Sequence, residues 1–351
     1  MTSILRVIIS QKCPRLRLNK ASMKLLRLVC LFAYLVLSAR ADQVDPEFIN
    51  ALTFGADAAL NIFIHDEDGQ AVTGASVQCC FWFLSKDKSP TVRGLTDDTG
   101  HFMAKERCSD DAHILVKCNG YYDSFVEPKM SQIATNPKVV NGRWQPYGGE
   151  LPILLRKKKN PVPLDRYDGS HLKVPVLNEW IGFDMAEGDF VKPHGVGSVA
   201  DFNLRYVWDG KVRSEYTGAK LDIKFTSTHS GGYWFDKIKT SSFQGCMCAD
   251  TNSAFEGEYH FFENRNGKKW TSYRFPADKT LIVRSRCLVD KKGRLIEAYY
   301  GQLGYIEFSK SHDGSAYFGI GYTRNPQVND PNLEPEKDRY RTIKRRKGSG
   351  K

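Results

Sequence analysis

Leu60-Asn61-Ile62-Phe63-Ile64-His65, then Asp66-Glu67-Asp68-Gly69-Gln70, then Val72-Thr73-Gly74-Ala75-Ser76-Val77 is the stretch that decides the fold. The first six residues alternate in period two, the pattern of a half-buried strand. Asp68-Gly69 supplies a tight turn, because glycine accepts positive φ without a Cβ clash. A second strand opens at Gly74-Ala75 and carries Val77, Cys79, Phe81 and Phe83 on one face. Thr96-Asp97-Asp98-Thr99-Gly100-His101-Phe102 reads as a turn into a third strand. Ile114 to Cys118 reads as another, ending at Asn119-Gly120-Tyr121-Tyr122.

This succession resembles the carboxypeptidase regulatory-like domain, a small prealbumin-like β-sandwich of envelope and secreted proteins. The resemblance covers residues 58–125 and rests on turns that match in order. It implies a fold and a compartment and no chemistry, since in that family the module accompanies an activity. The remainder is similar only to uncharacterised bacterial envelope proteins, through the Asn325-Pro326 and Asn329-Asp330-Pro331-Asn332-Leu333-Glu334 ending.

Met23-Lys24-Leu25-Leu26-Arg27, an apolar run from Leu28 to Leu37, and Ala39-Arg40-Ala41 form a basic, apolar, small-residue succession. That is the pattern of a cleaved secretory signal over 1–41, with Met23 the expected true start. The apolar run is too short for a membrane span, which needs about 20 residues. The expected location is therefore secreted, periplasmic or cell surface.

The whole chain carries a formal charge of +11. Its leader and its tail from Arg339 to Lys351 hold basic residues and no acids, which leaves 42–338 near −4. A nucleic-acid partner loses its electrostatic basis. The basic tail reads as disordered, with a weak contact to an anionic membrane surface as its one expected role.

Gly and Pro crowd residues 125–150, which read as a long loop, and Leu151 to Leu155 as a closing strand. Charge and proline then mark 157–164 as a linker after a first sandwich of 42–156. From 165 to 325 short alternating segments recur between Gly and Asp turns, with Asn266-Gly267 the strongest hairpin signal. The fold class is all-β: a small prealbumin-like sandwich, then a larger β-sandwich or jelly roll, with 326–351 as strap and tail.

Cys79, Cys80, Cys108, Cys118, Cys246, Cys248 and Cys287 follow the leader, and an oxidising compartment makes disulfides the expectation. Alternation points Cys79 and Cys118 inward and favours that pair, with Cys80–Cys108 second. Burial as free thiols is the plain alternative. Cys246, Cys248 and Cys287 with His229 or His260 make a weak Cys₃His pattern, and one disulfide among the three thiols suits the compartment better, so no metal or cofactor is expected.

Asp184, Glu187 and Asp189 cluster in a loop, and Glu256 and Glu258 lie two apart, but acids near turns are usually solvated. No nucleophile elbow, zincin or P-loop motif is present. Catalytic residues stay unknown. Tyr233, Trp234 and Trp270, beside Gly231-Gly232 and the Asn266-Gly267 turn, are the candidate ligand contacts, against the plain reading of cross-strand packing. The expected function is a non-catalytic binding or structural protein of the cell envelope contacting glycan or protein. The alternative is a carbohydrate-active or other hydrolase with its site in the second sandwich.

Overall fold

The computed structural model describes residues 45–83, 89–132, 138–208, 218–266, 269–311, 314–336 and 341–343. The expected leader and the last eight residues of the basic tail lie outside these. Asp45 caps a helix the sequence reading missed, α1 (Pro46–Phe54), by accepting the Glu47 N–H at 2.9 Å. Pro46 at its first turn and Gly55 beyond its end are ordinary boundary residues.

The first sandwich follows: β1 (Ala56–His65), β2 (Ser76–Phe81), β3 (Thr91–Leu95), β4 (His101–Cys108), β5 (Ala112–Lys117), β6 (Ser124–Val126), β7 (Lys138–Val140), β8 (Arg143–Gln145) and β9 (Gly149–Leu154). β1 runs between β4, antiparallel, and β9, parallel, while β3, β2, β5 and β6 form the facing sheet. Asp66 and Asp97 each accept two backbone N–H groups within their turns, which fixes both reversals locally. Ile62, Ile64, Val77, Cys79, Phe81, Ile114 and Val116 fill the core, as their alternation requires.

Residues 125–150 are not one long loop. Asn141 and Gly142, at φ 51 and 72, make a two-residue turn between β7 and β8. The hairpin drives Trp144 into the core, where its indole N–H donates to the Cys108 carbonyl at 3.1 Å.

The second sandwich is larger: β10 (Asp165–Lys173), β11 (Ile181–Asp184), β12 (Asp189–Phe190), β13 (Phe202–Trp208), β14 (Gly218–Phe225), β15 (Gly231–Asp236), β16 (Glu258–Asn266), β17 (Lys269–Tyr273), β18 (Lys279–Val289), β19 (Leu295–Lys310), β20 (Ala316–Arg324) and β21 (Arg341–Thr342). One sheet has the order β15-β18-β19-β20-β10-β21 and the other β12-β11-β13-β14-β16-β17. Phe183 sits at the centre of the core, stacked on Phe202 at 5.3 Å and edge-on to Phe318 at 5.7 Å. Gly304 lies in a bulge within the continuous β19.

The start of the basic tail is ordered as well, where a disordered tail was expected. Arg341 pairs along β10 and grips the buried Asp165 carboxylate through two bonds of 2.6 and 2.7 Å.

The chain between β9 and β10 is under tight restraint. The Glu334 carboxylate, 2% exposed, accepts the backbone N–H groups of Lys159 at 2.9 Å and Asn160 at 2.6 Å. The Tyr122 hydroxyl reaches Glu334 and the Pro335 carbonyl. Arg156, 3% exposed, donates to the Phe243 and Gly245 carbonyls and pairs with Glu67 at 3.2 Å. Segment 240–242 also hydrogen-bonds to Asp123 and Phe125 beside β6.

Candidate functional site

β20 presents two unlike faces. Ala316, Phe318, Ile320 and Tyr322 point into the core, so Tyr317, Gly319, Gly321 and Thr323 line the outer face. Gly321 pairs with Asp168 on β10 and with Tyr305 on β19. The Tyr305 ring lies over Gly321: a Cβ there would come within 2.2 Å of it. Its hydroxyl donates to Asp168 in a short hydrogen bond, so the ring bridges from β19 across β20 to β10. Glycine inside a strand commonly marks such a close approach.

Segment 237–245 and Thr280 close one side, giving a cleft of about 290 Å³ lined by Arg166, Asp168, Lys237, Gln244, Tyr305 and Thr323 among others. That is near the lower end of ligand pockets, roughly 300–1,000 Å³. Lys237 donates to the carbonyls of Ala277 and Gly304, and burial lowers its pKa against the opposing pull of Asp278. Burial raises the Tyr305 phenol well above its ordinary value, as do the bond to Asp168 and the charge of Glu307. The Thr323 hydroxyl oxygen is buried and has no hydrogen-bond partner among the described residues. Along the same face a crevice of about 10 Å³, room for about one water, lies among His171, Glu307, Ser309, Tyr317 and Gly319.

Neither Tyr233 nor Trp234 lines this cleft. Both faces of β15 are partly covered. Trp234 packs edge-on to Tyr259 at 5.8 Å and Phe275 at 5.0 Å, at the margin of the main core. Tyr233 packs on Phe255 on the other face, and its oxygen accepts the Asp250 N–H; burial pushes this phenol up to about 12. The side chain of Trp270 lies outside the described residues.

The loop acids also have other tasks. Asp184 accepts the N–H groups of Ala186, Ser198 and Val199 and the Arg286 guanidinium at 2.6 Å. Arg286, at φ 50, also binds Asp201, tying β18 to the opposite sheet. Glu258 pairs with Lys224, and the Glu256 backbone bridges to Gly232.

The seven thiols are free, and the two favoured disulfides are not formed. The register sets Cys79 opposite Ile114 and Ser76 opposite Lys117, so Cys118 lies at least three residues, about 10 Å, further along. A disulfide needs Cα atoms about 4.4–6.8 Å apart. Cys80 stands outward and half-buried opposite His113, whereas Cys108 is fully buried at the end of β4 in the other sheet. Burial pushes the Cys79 thiol up to about 12. Cys246 and Cys287 sit beneath the 326–336 strap with Ile282 and Leu333. His260 is bound to Asp222 at 2.7 Å on the opposite sheet, so it cannot join them in a Cys₃His set.

No family model matches the chain, and no curated protein does. Among solved structures, 3-chlorocatechol 1,2-dioxygenase from Rhodococcus opacus 1CP is similar at 8% identity and a TM-score of 0.25, over 29% of this chain and 61% of that one. The shaft pilin SpaA from Lactobacillus rhamnosus GG is similar at 10% identity and 0.18, over 50% and 90%. The Bacillus anthracis TIE protein is similar at 12% identity and 0.18, over 80% and 49%. Likeness this weak says nothing of activity. Among the described residues no helix is long and apolar enough to cross a membrane.

Proposed function

We propose that this chain is an exported, non-catalytic protein of the cell envelope whose second sandwich holds glycan in the cleft over β20. The observation that carries the reading is the Tyr305 ring, laid over Gly321 and held by Asp168 within an open, mainly apolar hollow that also has Arg166, Lys237 and Gln244 in its lining. An aromatic ring beside fixed donors and acceptors suits a sugar, which offers an apolar face and a rim of hydroxyls. The hollow is sized for a small ring more than for the broad patch of a protein partner. Export is inferred from residues 23–41, and the first sandwich is taken as a carboxypeptidase regulatory-like module accompanying the binding unit. Tail residues beyond 343 are assigned a weak accessory contact with anionic membrane surface, and no nucleic-acid role is proposed.

One observation favours a second reading, glycoside hydrolysis: Asp168 and Glu307 stand on either side of Tyr305. A hydrolase needs one carboxyl kept protonated by apolar surroundings. Both of these acids are solvent-exposed, and Asp168 already accepts a hydrogen bond from the Tyr305 hydroxyl. Holding is therefore favoured over cleaving.

The test is a glycan array probed with the full chain lacking 1–41, beside its Tyr305→Ala variant. Saturable signal on a set of glycans, reduced at least tenfold in the variant, is expected. Absence of signal, or equal signal from both proteins, overturns the reading, and release of reducing ends from a bound glycan replaces it with the hydrolase.

A further inference from the structure

We infer that the cleft selects an acidic sugar, a single ring whose carboxylate is met by Arg166 and Lys237; this rests on the glycan reading above. The Tyr305 ring, bridging to Asp168, bounds the cleft on one side. Beyond it lies the next outward level of the sheet, where Arg166 on β10, Thr323 on β20 and Gln302 on β19 stand side by side. Arg166 is exposed on the β10 side. Lys237 comes from the segment that closes the β19 side, and its ammonium lies 3.0 Å from the Gly304 carbonyl. The backbones of β10 and β19 are two strand spacings apart, about 10 Å. Two cations therefore face one hollow from opposite walls.

The lining does not neutralise these charges. Asp168 is its one carboxylate, and that group already accepts the Tyr305 hydroxyl. Lys237 spends two of its three N–H donors on the carbonyls of Ala277 and Gly304. Its nearest acid in effect is Asp278, which acts on it by longer-range attraction and without an ion pair among the described residues. An ammonium taken partly out of water without a counter-charge is unfavourable, and burial accordingly draws its pKa down. A ligand carboxylate would supply the missing charge, and a neutral sugar would not.

The remaining polar groups fit that division of labour. The Gln302 amide accepts the Cys246 N–H and donates to the Leu333 carbonyl, so it shapes the floor more than it recognises a ligand. A guanidinium can hold a carboxylate through two parallel bonds, whereas an ammonium acts as a point charge. Arg166 would thus orient the acid group and Lys237 would balance it, while the Tyr305 ring meets the apolar face of the sugar.

The experiment is calorimetric titration of the full chain lacking 1–41 at physiological salt. The probes are matched methyl glycosides, galactoside against galacturonide and glucoside against glucuronide, with galactose 6-sulfate as a further arm. Thermal unfolding of each variant is run alongside. At least one uronide is expected to bind tenfold or more tighter than its neutral counterpart. Lys237→Gln and Arg166→Gln should each cut that preference to threefold or less and leave the neutral sugar within threefold. Arg166 is exposed, so its variant keeps the test open if the Lys237 change loosens segment 237–245. Lys224→Gln, on the other sheet and paired with Glu258, should leave the preference intact. Equal affinity within both pairs, a preference that survives both cleft variants, or one lost equally in Lys224→Gln overturns the inference. Tighter binding of the sulfate, lost in the same cleft variants, supports the cation pair and assigns it sulfate in place of carboxylate. Binding of none of these sugars overturns the inference too. Array signal lost in Tyr305→Ala would then leave the glycan reading standing, and a blank array removes both.

Discussion

The two outer faces of the second sandwich are built from similar residues and do different things. On the β13-β14-β16 face, Asp222 is covered by the Lys220 ammonium at 2.7 Å, the Arg205 guanidinium at 2.9 Å and His260 at 2.7 Å. Lys224 and Glu258 pair beside them, and Arg205 lies over the Trp180 ring at 4.7 Å. Aromatic and charge meet there as they do around Tyr305, but counter-charges occupy every approach to the carboxylate. On the β10-β20-β19 face, glycines remove the side chains that would occupy the middle of the sheet. Residue chemistry alone thus does not distinguish a filled face from a receptive one. Missing volume does.

This contrast predicts that damage to the cleft side is the more costly. The largest expected effect is from Glu334→Ala, which strands the Lys159 and Asn160 N–H groups beside the strap. Bonds to a charged acceptor are worth about 1.5–3 kcal/mol each, so a loss of about 3 kcal/mol in urea unfolding is expected. A loss under 1 kcal/mol would mean that the strap is not held by this carboxylate.

Gly321→Val comes next. Its side chain would occupy the place of the Tyr305 ring. Overpacking of this kind costs about 1–3 kcal/mol, and array signal should fall at least tenfold. Unchanged stability and signal would remove the distinction between the two faces.

Asp222→Asn on the filled face should cost about 1 kcal/mol, since its partners are largely exposed and such pairs are individually weak. Burial raises the Asp222 carboxyl, but the bonds from Lys220, Arg205 and His260 outweigh it and hold the group below its ordinary value. A depressed carboxylate contributes stability above its unfolded pKa, about 3.9, and loses it as the pH falls through the folded value. The gap between wild type and variant should therefore be constant from neutrality to about pH 4 and close below that. A gap that widens in acid would reverse the assignment. The smallest effect is Lys224→Ala, whose exposed pair should leave the unfolding midpoint unmoved.

Much of the fold is written in local pattern. Asp68-Gly69 and Thr96 to Gly100 specify their turns through short-range side-chain bonds, and the alternation in β13, β14 and β20 declares an inner and an outer face. Two elements left signals that went unread: Asp45-Pro46-Glu47 ahead of α1, and Asn141-Gly142 between β7 and β8.

The cleft is different, since its walls come from residues 166–168, 237–245, 302–305 and 321–323. Only tertiary pairing brings these together. Its one visible trace is Gly319-Ile320-Gly321 within a strongly apolar strand. Tyr233 and Trp234 lie elsewhere: alternation along β15 sends them to opposite faces, where each is half-buried against neighbouring aromatic rings.

The clasp at Glu334 has a consequence for the order in which the molecule is made. Tyr122 and Lys159 leave the ribosome about 175 residues or more before their partner does. Domains generally fold as units during synthesis, the N-terminal one first. The first sandwich, and the second but for β21, can therefore form while the joint between them is still open, and the joint closes only when the strap arrives. A chain truncated after residue 331 should carry both sandwiches, the second lacking only β21, and a protease-sensitive stretch at 157–164. The strap is the molecule's latch, and it is delivered near the end.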